Sequence, residues 1–319
     1  MELRKDLFIR GLHNLRAEHR DCVLTIGSFD GLHLGHRAII DQVREKARHY
    51  GVPSVVMIFE PQPKEFFSGE TSPPRLMRLR EKIDALGKFG IDRVFCVRFN
   101  KVLRELSARA FVDRILVEGL AIKCLVVGDD FRFGCDRKGD FAMLTREGQR
   151  YGFDVVETRT VAIDGARVSS TRIRHALREG QFATAERLLG QPFCISGKVV
   201  YGQQLGRQLG IPTANVNLHR YRAPLQGVFA VYARVEGERV AGVANVGLRP
   251  TVGDLVVPML EVHLLGWNRE IYGRRISVEF RHKLRDEQKF ASLDDLVARI
   301  HLDIAAAREY FAGCSQAVD

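Results

Sequence analysis

The sequence predicts an α/β protein built from two unlike halves: a doubly wound parallel sheet with helices, then a small antiparallel β-barrel with a closing helix. Three observations predict this. In the first half, near-continuous apolar runs alternate with stretches whose apolar residues recur at helical spacing, the pattern of parallel strands buried on both faces. From about Ile195 the runs become short and Gly-punctuated, with loops rather than helices between them. One long amphipathic stripe then ends the pattern. A chain of 319 residues suits two cores better than one.

The elements follow in order. Apolar runs at 23–26, 55–59, 94–99 and 125–127 read as the parallel strands. Ile39, Ile40, Val43, Ala47 and Tyr50 recur at helical spacing, and Gly51 supplies the C-cap. Phe111, Ile115 and Leu116 mark a shorter helix. In the second half, strands are expected at 195–200, 227–235, 240–246, 260–265 and 275–280. The closing helix carries Leu293, Leu296, Val297, Ile300, Ile304, Ala307 and Phe311 on one face, with Asp294 and Asp295 in its first turn. The change of pattern lies around 189–192, after the helical piece 183–189. The functional units are taken as 1–187 and 188–319.

The formal net charge is +10, from 49 Lys and Arg against 39 Asp and Glu. That balance suggests an anionic partner and does not choose among nucleotides, nucleic acid and a membrane surface. No dense basic run of the nucleic-acid-tail kind is present. Cysteines stand at 22, 96, 124, 135, 194 and 314, with no Cys-x-x-Cys; the first three lie in apolar runs, as small hydrophobes do. Met1-Glu2-Leu3-Arg4-Lys5-Asp6 lacks the apolar stretch of a signal peptide, and no run approaches the ~20 residues that span a bilayer. A reduced, cytoplasmic protein without a membrane is expected.

Chemistry concentrates where strands end. After the run 22–26 comes Gly27-Ser28-Phe29-Asp30-Gly31-Leu32-His33-Leu34-Gly35-His36, at the point where a strand turns into a helix. Imidazoles and bare backbone N–H groups at a helix N-terminus suit a polyphosphate. Gly35 leaves room for a phosphate, and His33 and His36 can donate to charge growing on bridging oxygens. Ordinary capping histidines would have the same sequence. Ser169-Ser170-Thr171-Arg172-Ile173-Arg174 sets hydroxyls before a helix, followed by arginines, a set that caps a helix or binds phosphates. A third polar, Gly-rich cluster, 127–140, holds Asp129 and Asp130 after the run 125–127.

In the second half, Gly197, Gly202, Gly206 and Gly210 punctuate one segment, 197–215, which is not a Walker A motif. Its end, Pro212-Thr213-Ala214-Asn215, offers two neutral oxygen ligands at i and i+2, on one side of an extended chain and within reach of one Mg²⁺. Glu261, in the alternating run 260–264, reads as a wet-face carboxylate or as a general base for an attacking hydroxyl.

These clusters, in this order and with Phe59-Glu60-Pro61-Gln62-Pro63 between the first and third, resemble the bifunctional riboflavin kinase/FAD synthetase family over nearly the whole chain. Gly206-Arg207, Leu209-Gly210, Pro212-Thr213-Ala214-Asn215 and the later segments 227–230, 247–251, 272–273 and 284–290 carry the kinase part. The resemblance implies a Rossmann-like nucleotidyltransferase domain followed by a kinase barrel. Riboflavin would be phosphorylated with ATP to FMN, and the FMN phosphate would then attack the α-phosphorus of ATP to give FAD and pyrophosphate. It implies that His33 and His36 stabilise the adenylyl-transfer transition state. Gly27, Phe29, Asp30, Gly31, Gly35, Asp130, Ser169, Ser170, Thr171 and Arg174 would line the nucleotide site. In the kinase part, Thr213 and Asn215 would hold Mg²⁺ and Glu261 would activate the ribityl hydroxyl. Gly202, Gly206 and Arg207 would hold ATP, and Arg285 would lie beside the flavin. One departure is visible: Ser28 stands where the family often has Asn. The resemblance implies small-molecule partners alone, without nucleic acid, and leaves the oligomeric state open. The competing reading is a basic RNA-binding protein with a nucleotidyltransferase-like fold, which leaves Thr213, Asn215 and Glu261 without a role.

Overall fold

The computed structural model of the chain describes residues 7–128, 130–202, 206, 209–218, 222–250 and 256–316. Two compact units emerge from its contacts. The first runs to Pro73 and resumes over Leu79–Ser169; the second takes Pro74–Arg78 and the chain from Ser170 onward.

The first unit is a six-stranded parallel sheet. Its strands are β1 (Phe8–Arg10), β2 (Val23–Ile26), β3 (Ser54–Glu60), β4 (Arg93–Arg98), β5 (Cys124–Val127) and β6 (Asp154–Glu157), in the order β1-β4-β3-β2-β5-β6. Four of these are the expected apolar runs. The short edge strands β1 and β6 were not among the expected strands; β6 carries acidic ends, Asp154 and Glu157, on a half-buried segment. The order reverses between β2 and β5. Ligands of doubly wound sheets bind at such a reversal, outside the carboxyl ends of the strands. The opening motif follows β2, and Gly128 and Asp130 follow β5.

Helix α1 (Leu34–Tyr50) buries Ile40, Val43 and Ala47 of the expected stripe, while Ile39 and Tyr50 at its margins are only half-buried. It ends at Gly51, whose φ of 65° is the left-handed cap the sequence predicts. Phe111, Ile115 and Leu116 are likewise buried, in the helical stretch running through Ala108–Phe111 and Val112–Gly119. Together with Leu24, Met57, Phe95 and Leu125 they form the core. Cys96 and Cys124 are buried members of the sheet and Cys22 is buried just before β2; no disulfide joins any of the six cysteines. A short hairpin, β7 (Ala162–Ile163) with β8 (Ala166–Arg167), precedes the end of this unit.

The second unit is a closed antiparallel barrel. It contains β9 (Cys194–Val200), β10 (Ala214–Asn217), β11 (Gly227–Val235), β12 (Glu238–Pro250), β13 (Val256–Leu264) and β14 (Arg275–Arg285), in the order β10-β13-β12-β11-β14-β9. Five strands were expected; the sixth, β10, holds Asn215 and begins just after Thr213, and its four residues are too few to show a period. Closure leaves no free sheet edge. Phe229 and Phe280 meet edge to face inside it, 5.3 Å between centroids. Two helices, α2 (Ser170–Arg178) and α3 (Phe182–Leu189), pack on each other and belong to this unit by contact. The closing helix, α4 (Leu293–Gln316), lays Ile304, Ala307 and Phe311 over Val228, Ala230 and Val243. Leu293, the expected start of its stripe, is 54% exposed instead, because the packed face begins a turn later.

Candidate active sites

The first site is built on the β2–α1 turn. His33 is the N-cap of α1, and its Nδ1 accepts the backbone N–H of His36 at 3.3 Å. In the neutral ring that contact leaves the proton on Nε2. The His33 and His36 rings stack, 3.7 Å between centroids, and Phe29 flanks His36 at 5.0 Å. Gly35 lies under the His33 ring; a Cβ there would sit 3.2 Å from two ring atoms. Burial, then the neighbouring His33, Lys82 and Arg167, hold the His36 imidazole well below the usual histidine range. His36 is therefore neutral, and its Nδ1 is buried without a hydrogen-bond partner among the described residues.

The loop that delivers this pair is tightly wound. Phe29, Gly31 and Leu32 have φ of 46°, 91° and 43°. Phe29, Asp30, Leu32 and His33 are all buried. Gly27 donates its N–H to Met57 O, and a Cβ on it would meet the Phe29 ring at 3.1 Å. Across the reversal, Asp130 is exposed and pairs with Arg167 at 3.3 Å. Val168 O lies 3.5 Å from where a Gly35 Cβ would stand, which brings the chain just before Ser169 to the start of α1. Ser170 opens α2 in the other unit, Thr171 is exposed, and Arg174 Nε donates to Pro74 O at 2.7 Å.

The second site is gathered by barrel register. Asn215 pairs with Val200 and Glu261, Glu261 with Asn245, Asn245 with Val228, and Val228 with Arg285. One row of paired residues thus runs across the barrel wall from β9 through β10, β13, β12 and β11 to β14 and sets four polar side chains, remote in sequence, side by side. A cavity of about 280 Å³ opens on them, lined also by Gly206, Thr213, His263 and Glu287. Asn215 is buried; its Nδ2 contacts Thr213 O at 3.5 Å, and its Oδ1 has no hydrogen-bond partner among the described residues. Gly202 leaves space for that carboxamide, since a Cβ there would stand 2.6 Å from Nδ2. A Cβ on Gly206 would meet Ile211 O at 2.5 Å and Thr213 Oγ1 at 3.4 Å. Arg207 lies outside the described residues.

Arg285 does not enter this cavity as a free cation. Its Nε and terminal nitrogen grip both carboxylate oxygens of Asp303 on α4 at 2.7–3.0 Å, with side chains 11% and 3% exposed. Arg299 adds a second contact to Asp303 at 3.2 Å. Glu287 lies near Glu261; partial burial raises its carboxyl above the usual range, opposed by a hydrogen bond from Asn245 and by Arg285, and reinforced by Glu261.

Sequence reasoning missed Asn245, Glu287, Asp303 and Lys82. Asn245 is visible only through register. Asp303 and Lys82 did leave a signal: each is a charge on the buried side of an amphipathic helix.

The two halves of the chain match two different families. Residues 15–172 match the family described as FAD synthetase, and residues 189–311 match the riboflavin kinase family. The chain is 56% identical over 300 residues to a bifunctional riboflavin kinase/FMN adenylyltransferase of Pseudomonas fluorescens, covering 94% of this chain and 96% of that protein. It is 51% identical over 305 residues to the protein of that name from Escherichia coli K12, covering 95% and 97%. A crystal structure described as a macrolide-efflux protein from Streptococcus pneumoniae superposes with a TM-score of 0.78 at 28% identity, over 95% of this chain and 99% of that one. No helix among the described residues is long and apolar enough to cross a membrane. By its matches over both halves, the chain belongs to the bifunctional riboflavin kinase/FMN adenylyltransferase family.

Proposed function

We infer that the two sites run consecutive reactions, the barrel phosphorylating riboflavin to FMN with ATP and the parallel-sheet unit adenylylating FMN with a second ATP to give FAD and pyrophosphate. The observation that carries this reading is the row of paired residues in the barrel wall, which sets Glu261 beside Asn215 and Asn245 at the mouth of one cavity. Nothing in the comparisons supports the RNA-binding alternative.

In the kinase reaction, Glu261 accepts the proton of the ribityl hydroxyl as its oxygen attacks the γ-phosphorus of ATP and ADP leaves. Gly202 and Gly206 keep side chains away from the segment that takes the phosphates, a role shared in this reading with Arg207. The buried, unpartnered Asn215 Oδ1 and the Thr213 hydroxyl fit a hard cation that takes its remaining ligands from phosphates and water. Mg²⁺ held there would neutralise phosphate charge. Arg285, fixed by Asp303, shapes the flavin side of the cavity together with Phe290, 5.7 Å from its guanidinium.

In the adenylyl reaction, an FMN phosphate oxygen attacks the α-phosphorus of ATP in line, and the bond to the β-phosphate oxygen breaks. His33 donates from Nε2 and neutral His36 from its protonated nitrogen toward charge growing on the phosphates; the N-terminus of α1 adds its dipole. Gly27, Phe29, Asp30, Gly31 and Gly35 shape the turn. Asp130, Ser169, Ser170, Thr171 and Arg174 are assigned to the nucleotide from the sequence motif. Phe59, Phe66, Phe67 and Phe99 form a ring cluster at the carboxyl ends of β3 and β4, with Phe67 60% exposed, and suit a flat apolar ring such as the flavin. The functional division is 1–187 and 188–319, with small molecules as partners in a cytoplasmic setting.

The test uses the whole chain with riboflavin, ATP and Mg²⁺, following FMN and FAD by chromatography. Glu261→Ala should lower FMN formation by at least about 10²-fold while supplied FMN still becomes FAD. Loss of both products in a folded variant overturns the assignment of separate sites.

A further inference from the structure

We propose that Lys82 is a positioning residue of the adenylyl-transfer site, holding the 27–33 loop from behind through the Ser28 carbonyl and setting its ammonium near His36. The proposal rests on the adenylyl-transfer reading of that loop.

Lys82 belongs to the helix Leu79–Lys88, in the same unit as the loop. It is 1% exposed and is among the largest wholly buried side chains, on a face shared with Ile83 and Leu86. Lysine is almost never buried to this degree unless its ammonium has a partner, because stripping water from the charge is costly. Here the ammonium donates to the backbone carbonyl of Ser28. The next four residues include three at positive φ, two of them, Phe29 and Leu32, not glycine. Such a turn persists only where its surroundings over-determine it. The loop then ends at His33, the cap of α1, so an anchor at Ser28 fixes the path by which both imidazoles are delivered. The contact is to backbone, so it does not depend on the side chain at position 28.

The charge has a second effect. The groups that face the His36 ring are His33 from the loop, Lys82 from its helix and Arg167 from β8. Each disfavours a protonated His36. Removing Lys82 leaves the other two, and the imidazole then protonates at higher pH.

The experiment compares Lys82→Met and Lys82→Arg with the wild type in the full-length chain. For each it measures kcat and KM for FMN plus ATP giving FAD, the riboflavin kinase rate of the same preparation, and the His36 titration midpoint by ring NMR. Lys82→Met should lower kcat for FAD formation by about tenfold or more, with KM values changed less than about twofold. The His36 midpoint should rise, and the kinase rate should stay within about twofold. Lys82→Arg should recover most of kcat and restore the midpoint. If Lys82→Met does not fold, Lys82→Gln takes its place with the same expectations. Wild-type kcat in the uncharged variant, or an unmoved His36 midpoint, overturns the proposal. A wild-type chain that makes no FAD from FMN overturns instead the reading on which it rests.

Discussion

Gly202 shows how closely single residues are fitted around Asn215. A methyl group there would stand 2.6 Å from Asn215 Nδ2 and 2.7 Å from its Cγ, so the carboxamide must move. Gly202→Ala should lower riboflavin phosphorylation by about ten- to a hundredfold, read as kcat and Mg²⁺ dependence, with FAD formation from FMN unchanged. His36 has a different signature. Its folded pKa is depressed, whereas in the unfolded chain it titrates near 6.5. Below that pH the unfolded state takes up a proton the folded state refuses. The contribution of His36 is thus fully present above about pH 6.5 and is lost as pH falls, with a slope of at most about 1.4 kcal/mol per pH unit. Denaturant titrations at pH 7.5 and 5.5 should show a smaller acid loss in His36→Gln than in the wild type; an equal loss in both refutes this. His33 and His36 were legible as imidazoles where a strand turns into a helix, Thr213 and Asn215 as an i, i+2 oxygen pair in an extended segment, and Glu261 as a carboxylate in an alternating run. Lys82 left only the weaker signal of a charge among the apolar positions of a helical stretch, which reads as a solvated face until the helix is seen to turn it inward.

Among the elements, α4 contributes more than an apolar lid. It carries Asp303 to Arg285, and its Leu296 and Ile300 form one wall of the kinase cavity. The pair is buried, so breaking it leaves an uncompensated charge. Asp303→Ala should destabilise the barrel unit by about 3–5 kcal/mol and raise KM for riboflavin, measured by denaturant unfolding and steady-state kinetics. A surface-like cost below about 1 kcal/mol would contradict the burial. The stripe of α4 was readable from its spacing, as were the four central parallel strands. The edge strands β1 and β6 were not, since short half-exposed strands show little period. Asn245 was hidden for another reason: it reaches Glu261 only by cross-strand register, a long-range property that no local window contains.

For the molecule as a whole, two compact units with separate cores lead to two unfolding events rather than one. Differential scanning calorimetry should resolve two transitions, and Asp303→Ala should lower only the one accompanied by loss of kinase activity. A single transition moved as a block would show that the units are not independent. The contacts assign Ser170–Leu189 to the barrel unit, while the sequence motif assigns Ser170, Thr171 and Arg174 to the nucleotide of the other reaction. The sequence could show where the pattern changes near 189–192. It could not show which core the two short helices before that point would join, because their apolar faces fit either.

The row of paired polar residues also limits how this barrel can diverge. Side chains alternate between the two faces of a strand, so inserting or deleting one residue within β10, β12 or β13 would turn Asn215, Asn245 or Glu261 to the opposite face. The same slip would break the pairing that closes the sheet on itself. Length variation among descendants of this chain is therefore confined to the connections between strands, and the chemistry and the closure are inherited together or lost together.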